Sequence, residues 1–193
     1  GLAINRFTGT AAGAQIRILD GNRVHVEGSR LGTDPSGQIA LGGAAGVVVS
    51  ASANVAADNV IGGTAPGAGN VISGNGSVGI RADASVTVLG NTIGLNAAGD
   101  AALGNGVAGI EARANGQIGD GTPAGRNVIS GNGSSPGNGF GIHVTAASYG
   151  MYVAGNFIGT DVTGRHPAAN TSVGLYVDGS QYTTTSGNVI SAH

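Results

Sequence analysis

The chain has 193 residues, 39 of them glycine, with no cysteine, no tryptophan, 5 prolines and only 9% charged residues. All eight basic residues are arginine and the formal net charge is −2, which excludes the electrostatic footprint of a nucleic-acid or anionic-lipid binder. The absence of cysteine excludes disulfides and thiolate metal sites, the lack of a third-residue glycine period excludes collagen, and no apolar run reaches the roughly 20 residues of a membrane helix.

Hydrophobic residues at 40%, mostly Val, Ile, Leu and Ala, suffice for a core, and no composition shift or charged linker divides the chain. One domain spanning 1–193 is expected. No amphipathic capping helix is visible at either end, so we expect a segment of a longer protein or a domain that stacks with itself.

In chain order, short β-branched runs bounded by glycine and asparagine read as strands: "RVHVEG" (23–28), "VTVLG" (86–90) and "MYVAG" (151–155). No stretch keeps a helical apolar period over ten residues. A phrase of the form Asn-x-apolar recurs from positions 5, 29, 70, 91, 127, 156 and 188, alternating between a "NVISGN" and a "NTIGLN" variant. Units of about thirty residues suit one coil of a solenoid.

Aligned on this phrase, the copies form columns. Asn5, Asn70, Asn91, Asn127, Asn156 and Asn188 share the first place, with Ser29 as the exception. Two places on stand Phe7, Leu31, Ile72, Ile93, Ile129, Ile158 and Ile190. Five places on come Asp34, Asn75, Asn96, Asn132 and Asp161. A later strand stacks Ile16, Val47, Ile80, Ile110, Ile142 and Leu175, then Ile18, Val49, Ala82, Ala112, Val144 and Val177.

One residue type at one place of every coil is what a parallel β-helix requires. Each strand bonds its equivalent in the coil above and below, ~4.8 Å away, so apolar side chains stack and a buried amide satisfies the next amide. The sequence therefore predicts an all-β, right-handed parallel β-helix of about six to seven coils with an Asn ladder at its bends.

The phrases "GNVISGN" (69–75) and "GNFIGTDVTG" (155–164) resemble the glycine- and asparagine-rich repeats of bacterial right-handed parallel β-helix proteins, a fold shared with the pectate-lyase-like superfamily. The resemblance spans essentially the whole chain and implies a large secreted or surface-exposed protein. That architecture hosts lyases, hydrolases, epimerases and adhesive stalks alike.

Alternation sends the residues between the core columns outward. One outward column is Arg17, Val48, Arg81, Glu111, His143 and Tyr176; the next is Leu19, Ser50, Asp83, Arg113, Thr145 and Asp178. Stacking predicts ion pairs Arg81–Glu111 and Asp83–Arg113 and a ligand-binding strip of Arg81, Glu111, Arg113, His143, Tyr176 and Asp178. Glu111 and Asp178 would stand two rungs apart, ~9–10 Å, near the wide end for an inverting carboxylate pair. A solvated face whose unlike charges pair across the ladder explains the same residues.

His25 and Glu27 share an outward face as an acid/base or a plain surface pair. His166 sits in a loop aligned with 99–105, and His193 is terminal. No two histidines have ligand spacing, and single carboxylates at Asp34 and Asp161, with Asn96, are thin for calcium, so neither a metal nor any other cofactor is expected. Asx-turns account for those three. "TTT" (183–185), the one hint of an ice-binding array, is not repeated, and the insertions 62–69 and 119–126 are expected to project on one edge.

Evenly spread repeats without a concentrated catalytic constellation, and a chain without lysine, favour a structural or adhesive module, secreted or at the cell surface. The competing reading is a glycoside hydrolase, lyase or epimerase acting through Glu111, His143, Tyr176 and Asp178. Expected partners are a polysaccharide or surface glycan, and other copies stacked end to end.

Overall fold

The computed structural model describes residues 2–6, 13–52, 58–134 and 138–192, and all regular structure among them is β. The first three coils are β1 (Ala3–Ile4), β2 (Ala14–Leu19), β3 (His25–Val26); β4 (Arg30–Leu31), β5 (Ala45–Ser50), β6 (Asn59–Gly62); and β7 (Val71–Ile72), β8 (Val78–Ala82), β9 (Val86–Leu89). There follow β10 (Thr92–Ile93), β11 (Ala108–Ala112), β12 (Gly116–Ile118), then β13 (Val128–Ile129), β14 (Phe140–Val144), β15 (Met151–Ala154). Last come β16 (Phe157–Ile158), β17 (Val173–Val177), β18 (Thr184–Ser186) and β19 (Val189–Ile190).

Every third strand pairs in parallel, which gives three sheets of seven, six and six strands wrapped into a β-solenoid. The first holds β1 through β19, the second β2 through β17 and the third β3 through β18. The strand register matches the columns read from the sequence: Ile80 pairs with Ile110, Ile110 with Ile142 and Ile142 with Leu175. Leu31, Ile72, Ile93, Ile129 and Ile158 are fully buried, each facing its own kind one coil away. Each such side chain contributes roughly 1.5–3 kcal/mol of burial, and the repetition extends one core along the axis.

The asparagines carry the polar counterpart. Asn70 donates through Nδ2 to Asn91 Oδ1 at 2.9 Å, Asn91 to Asn127 at 3.0 Å, Asn127 to Asn156 at 2.9 Å and Asn156 to Asn188 at 3.0 Å. Each also donates to a main-chain carbonyl one coil back, as Asn127 does to Val88 O at 2.9 Å. Its Oδ1 in turn accepts the main-chain N–H of the preceding ladder residue.

The first coil departs from the predicted alignment. Ile4, not Phe7, pairs with Leu31, and Phe7 lies outside the described residues. Asn5 is thereby displaced from the ladder; its Nδ2 donates to Thr33 O at 3.0 Å instead. Ile4, partly buried, packs against the core from this place, and its pairing with Leu31 leaves Asn5 one place past the core column and outside the ladder.

The column five places on also divides. Asn75, Asn132 and two residues outside the predicted column, Asn105 and Asn170, form a second buried ladder with Nδ2–Oδ1 distances of 2.9 Å at every step. Gln15 of the first coil reaches past the glycines at 42–43 to approach Asn75 Oδ1 at 3.5 Å. Asp34, Asn96 and Asp161 stand elsewhere, heading hairpin-like loops closed by the bridges Thr33–Ala40, Leu95–Ala102 and Thr160–Pro167.

Those loops belong to alternate coils and pack on one another across the coil between. Ala97 N–H donates to Gly37 O at 3.0 Å, Val162 N–H to Gly99 O at 3.1 Å, and Asn96 Nδ2 to Gln38 Oε1 at 3.0 Å. This explains the strict alternation of the two phrases. The insertions 62–69 and 119–126 each join the third sheet to the first.

Strand alternation fails at one place in the second sheet. Gly46, Gly79, Gly109, Gly141 and, in the first coil, Gln15 share a place from which a side chain points inward, although the next residue also does. A Cβ on Gly109 would stand 2.7 Å from Ile129 Cγ2 and 2.9 Å from Asn132 Nδ2. Glycine is required there because the Ile column and the second Asn ladder already fill the space.

Candidate functional site: the outward strip of the second sheet

The kink at the glycine column reverses the phase of the residues before it. Ala45, Val78, Ala108 and Phe140, two places ahead of the inward Ile column, turn to the outer side and cluster with Val48. Phe140 thus joins a face that simple alternation assigns to others. Register then delivers the outward column as read, Arg17–Val48–Arg81–Glu111–His143–Tyr176, across β2, β5, β8, β11, β14 and β17.

Two groups form on this face. The first is ionic. Arg81 Nε lies 3.2 Å from Asp83 Oδ2, Asp83 Oδ1 lies 3.7 Å from Arg113 Nε, and Arg113 Nη2 donates to Glu111 Oε1 at 2.9 Å. The expected Asp83–Arg113 pair is present. The expected Arg81–Glu111 pair is not: although the two residues face each other in register, each is held by a neighbour two places along its own strand. Same-face residues of one strand let the long guanidinium reach its carboxylate directly.

Arg113 sits at the centre of this chain. Its hydrogen bond to Glu111, reinforced by the charges of Glu111 and Asp83 and opposed by partial burial, raises its guanidinium above the ordinary arginine range. It remains a cation at any working pH.

The second group is aromatic. Phe140, His143 and Tyr176 pack as three rings, with centroids 5.0 Å apart for Phe140–His143 and His143–Tyr176 and 5.4 Å for Phe140–Tyr176. The Phe140 and Tyr176 planes differ by only 16°. His143 Nε2 is shielded from solvent, has no hydrogen-bond partner among the described residues, and lies 4.0 Å from Asp178 Oδ2. Asp178 is itself well exposed, and Tyr176 is 40% accessible.

The strip therefore unites all six predicted residues and adds Asp83 and Phe140. Asp83 was visible in the sequence as a column member; Phe140 was hidden by the phase reversal, for which the recurring glycine before the Ile column was the available signal.

The other candidates resolve into local structure. His25 Nδ1 and Glu27 Oε1 lie 3.3 Å apart, both about half exposed, as a surface pair. His166 Nδ1 lies 2.8 Å from Asp161 Oδ2. That contact, then Thr163 Oγ1 and the N–H groups of Arg165 and His166, holds the Asp161 carboxyl well below the usual carboxylate range against the effect of burial. Asp34 is lowered in the same way, chiefly by Ser36 Oγ and Ile39 N–H. These oxygens are spent on their own Asx-type turns. Among the described residues no group of three or more His, Asp or Glu could hold a metal ion, and no helix is long and apolar enough to cross a membrane. His193 lies outside the described residues.

Comparison with family models, with curated proteins and with solved structures yields no significant match.

Proposed function

We propose that this chain is a non-catalytic structural and adhesive β-solenoid module whose second sheet presents a glycan-binding strip. The observation that carries this reading is the arrangement of that strip. Its strongest ionic groups are turned on each other, while the part-exposed Tyr176 ring stands beside them, stacked on Phe140.

A catalytic carboxylate must reach a substrate proton or anomeric carbon with its own oxygen free. Glu111 Oε1 is engaged by Arg113 at 2.9 Å. The exposed Tyr176 ring, buttressed by Phe140, suits the apolar face of a sugar, and the paired charges beside it offer fixed donors and acceptors for its hydroxyls without reorganisation. A solenoid side extends this surface along its axis, which matches an extended polymer. The resemblance of "GNVISGN" and "GNFIGTDVTG" to bacterial β-helix repeats supports placing the module in a secreted or surface-exposed protein.

The test is a panel of acidic and neutral polysaccharides scored for both retention and chain cleavage. Retention lost in Tyr176→Ala and Phe140→Ala, without cleavage, is the expected result. Cleavage abolished by Glu111→Ala or Asp178→Ala would make the strip an active site and overturn the reading.

A further inference from the structure

Six of the seven aromatic residues fall between 140 and 182, and two of them, Tyr149 and Tyr182, are more exposed than any other aromatic described. Tyr149 is 61% and Tyr182 72% accessible, yet the rings meet, with centroids 4.9 Å apart and planes tilted by 59°. They sit at the corner between the second and third sheets, on successive coils. Tyr149 bridges in parallel to Gln181, which puts Tyr182 in register with Gly150.

That register matters because the place demands left-handed backbone. Gly150 has φ +76°, and a Cβ built on it meets nothing within 4 Å among the described residues. Tyr182 keeps the same conformation at φ +58°, which is an outlier for a bulky aromatic residue. Glycine fills the site freely one coil earlier, so the fold itself does not ask for tyrosine. A strained, exposed aromatic that adds little to the core, held against a second exposed ring, marks a surface shaped for contact.

The chemistry of the surroundings narrows the ligand. The segments 145–156 and 179–192 contain no Asp, Glu, Lys or Arg, in contrast to the charged strip of the second sheet. The neighbouring polar groups are hydroxyls and an amide: Ser180, whose Oγ donates to Ser148 O at 3.1 Å and lies 2.8 Å from Thr183 Oγ1, with Gln181 and Thr184 beside them. Tyr152 stands on the adjoining outward face, paired with Thr184.

We infer that Tyr149 and Tyr182 form a second binding platform, specific for neutral carbohydrate, in which a sugar ring lies on tyrosine and its hydroxyls meet the Ser180–Thr184 rim. The platform is separate from the strip and stands or falls without it.

The test uses the intact chain in native gels cast with hydroxyethylcellulose, galactomannan or mixed-linkage β-glucan, with polygalacturonate as the charged comparison. Retardation by at least one neutral polymer is expected, and Tyr182→Gly and Tyr149→Ala should each weaken it about tenfold, the scale of a lost anchor residue. Tyr182→Gly should leave the melting temperature unchanged or raise it, because it restores the residue found at position 150. The part of the neutral-polymer retention that Tyr182→Gly removes should be removed to the same extent in a Tyr176→Ala background, because the platform does not use the strip. Absence of retention on every neutral polymer, retention unaltered in Tyr182→Gly, or a marked loss of stability in that variant would each overturn the inference. Retention on neutral polymer that depends on Tyr176 but not on Tyr182 would assign it to the strip instead.

Discussion

Replacing Asn127 by alanine should cost far more than the same change at Asn188, although both belong to one ladder. Asn127 is fully buried and its amide makes four bonds: it accepts from Asn91 N–H and Asn91 Nδ2, and donates to Val88 O and Asn156 Oδ1. After truncation Val88 O still accepts Gly119 N–H, Asn156 Oδ1 still accepts Asn127 N–H, and Asn91 Nδ2 still donates to Ile61 O. Only the Asn91 N–H is orphaned, at about 1–3 kcal/mol; with the other three lost bonds at about 1 kcal/mol net each, the total is about 4–6 kcal/mol. Asn188 is only partly buried, so water can replace its amide and the cost should be about 1 kcal/mol. Urea unfolding followed by far-ultraviolet circular dichroism measures both, provided the m-values agree. Equal costs at the two sites would refute the argument that burial within the stack, not the hydrogen bonds alone, sets the value of an ladder amide.

Two further outcomes follow from the geometry. Gly109→Ala forces a Cβ to 2.7 Å from Gly141 O and Ile129 Cγ2, so the core must shift; we expect a loss of about 1–3 kcal/mol and a melting temperature lower by several degrees, and an unchanged melt would show that the glycine column is not a packing requirement. Asp161 and Asp34 have depressed carboxyl pKa values, so what they contribute to their loops is present above the ordinary carboxylate range and is lost only as pH falls through the lower folded values. The amide resonances of Gln38 and Ile39, which donate to Asp34 Oδ1 at 2.8 and 2.9 Å, should therefore hold steady from neutral pH down to about 4 and move only in stronger acid; titration at the ordinary aspartate value of about 3.9 would contradict the observed bonding.

Much of this architecture is legible in the letters because a solenoid repeats its environment. Ile72, Ile93, Ile129 and Ile158 occupy one environment, and so do Arg81, Glu111 and His143, which is why their register could be read by alignment alone. The unread parts are those where the environment changes without a matching change of letter. Asn105 is separated from the start of its phrase by a hairpin loop, so counting from that phrase reached Asn96, the turn residue, instead. Phe140 obeys a phase that Gly141 reverses, and period-two reasoning has no means of registering a reversal. At Asn5 the alignment followed the more conspicuous residue, while the fold followed the apolar Ile4. The Tyr149–Tyr182 contact depends on a backbone conformation that tyrosine seldom adopts, and so no propensity would have suggested it.

The interleaved loops at 34–40, 96–101 and 161–166 have a consequence for how such a chain can change length. Each rests on its counterpart two coils away, over a coil that makes only a short turn. Deleting a single coil would bring a long loop against a short turn and strand the bonds now made by Gly37 and Gly99. Deleting or duplicating a pair, such as the 57 residues between Asn70 and Asn127, would set long loop over long loop again at the new junction. The natural unit of growth for this protein is thus the double coil, and variants lengthened or shortened by even numbers of coils are the ones that keep its surface continuous.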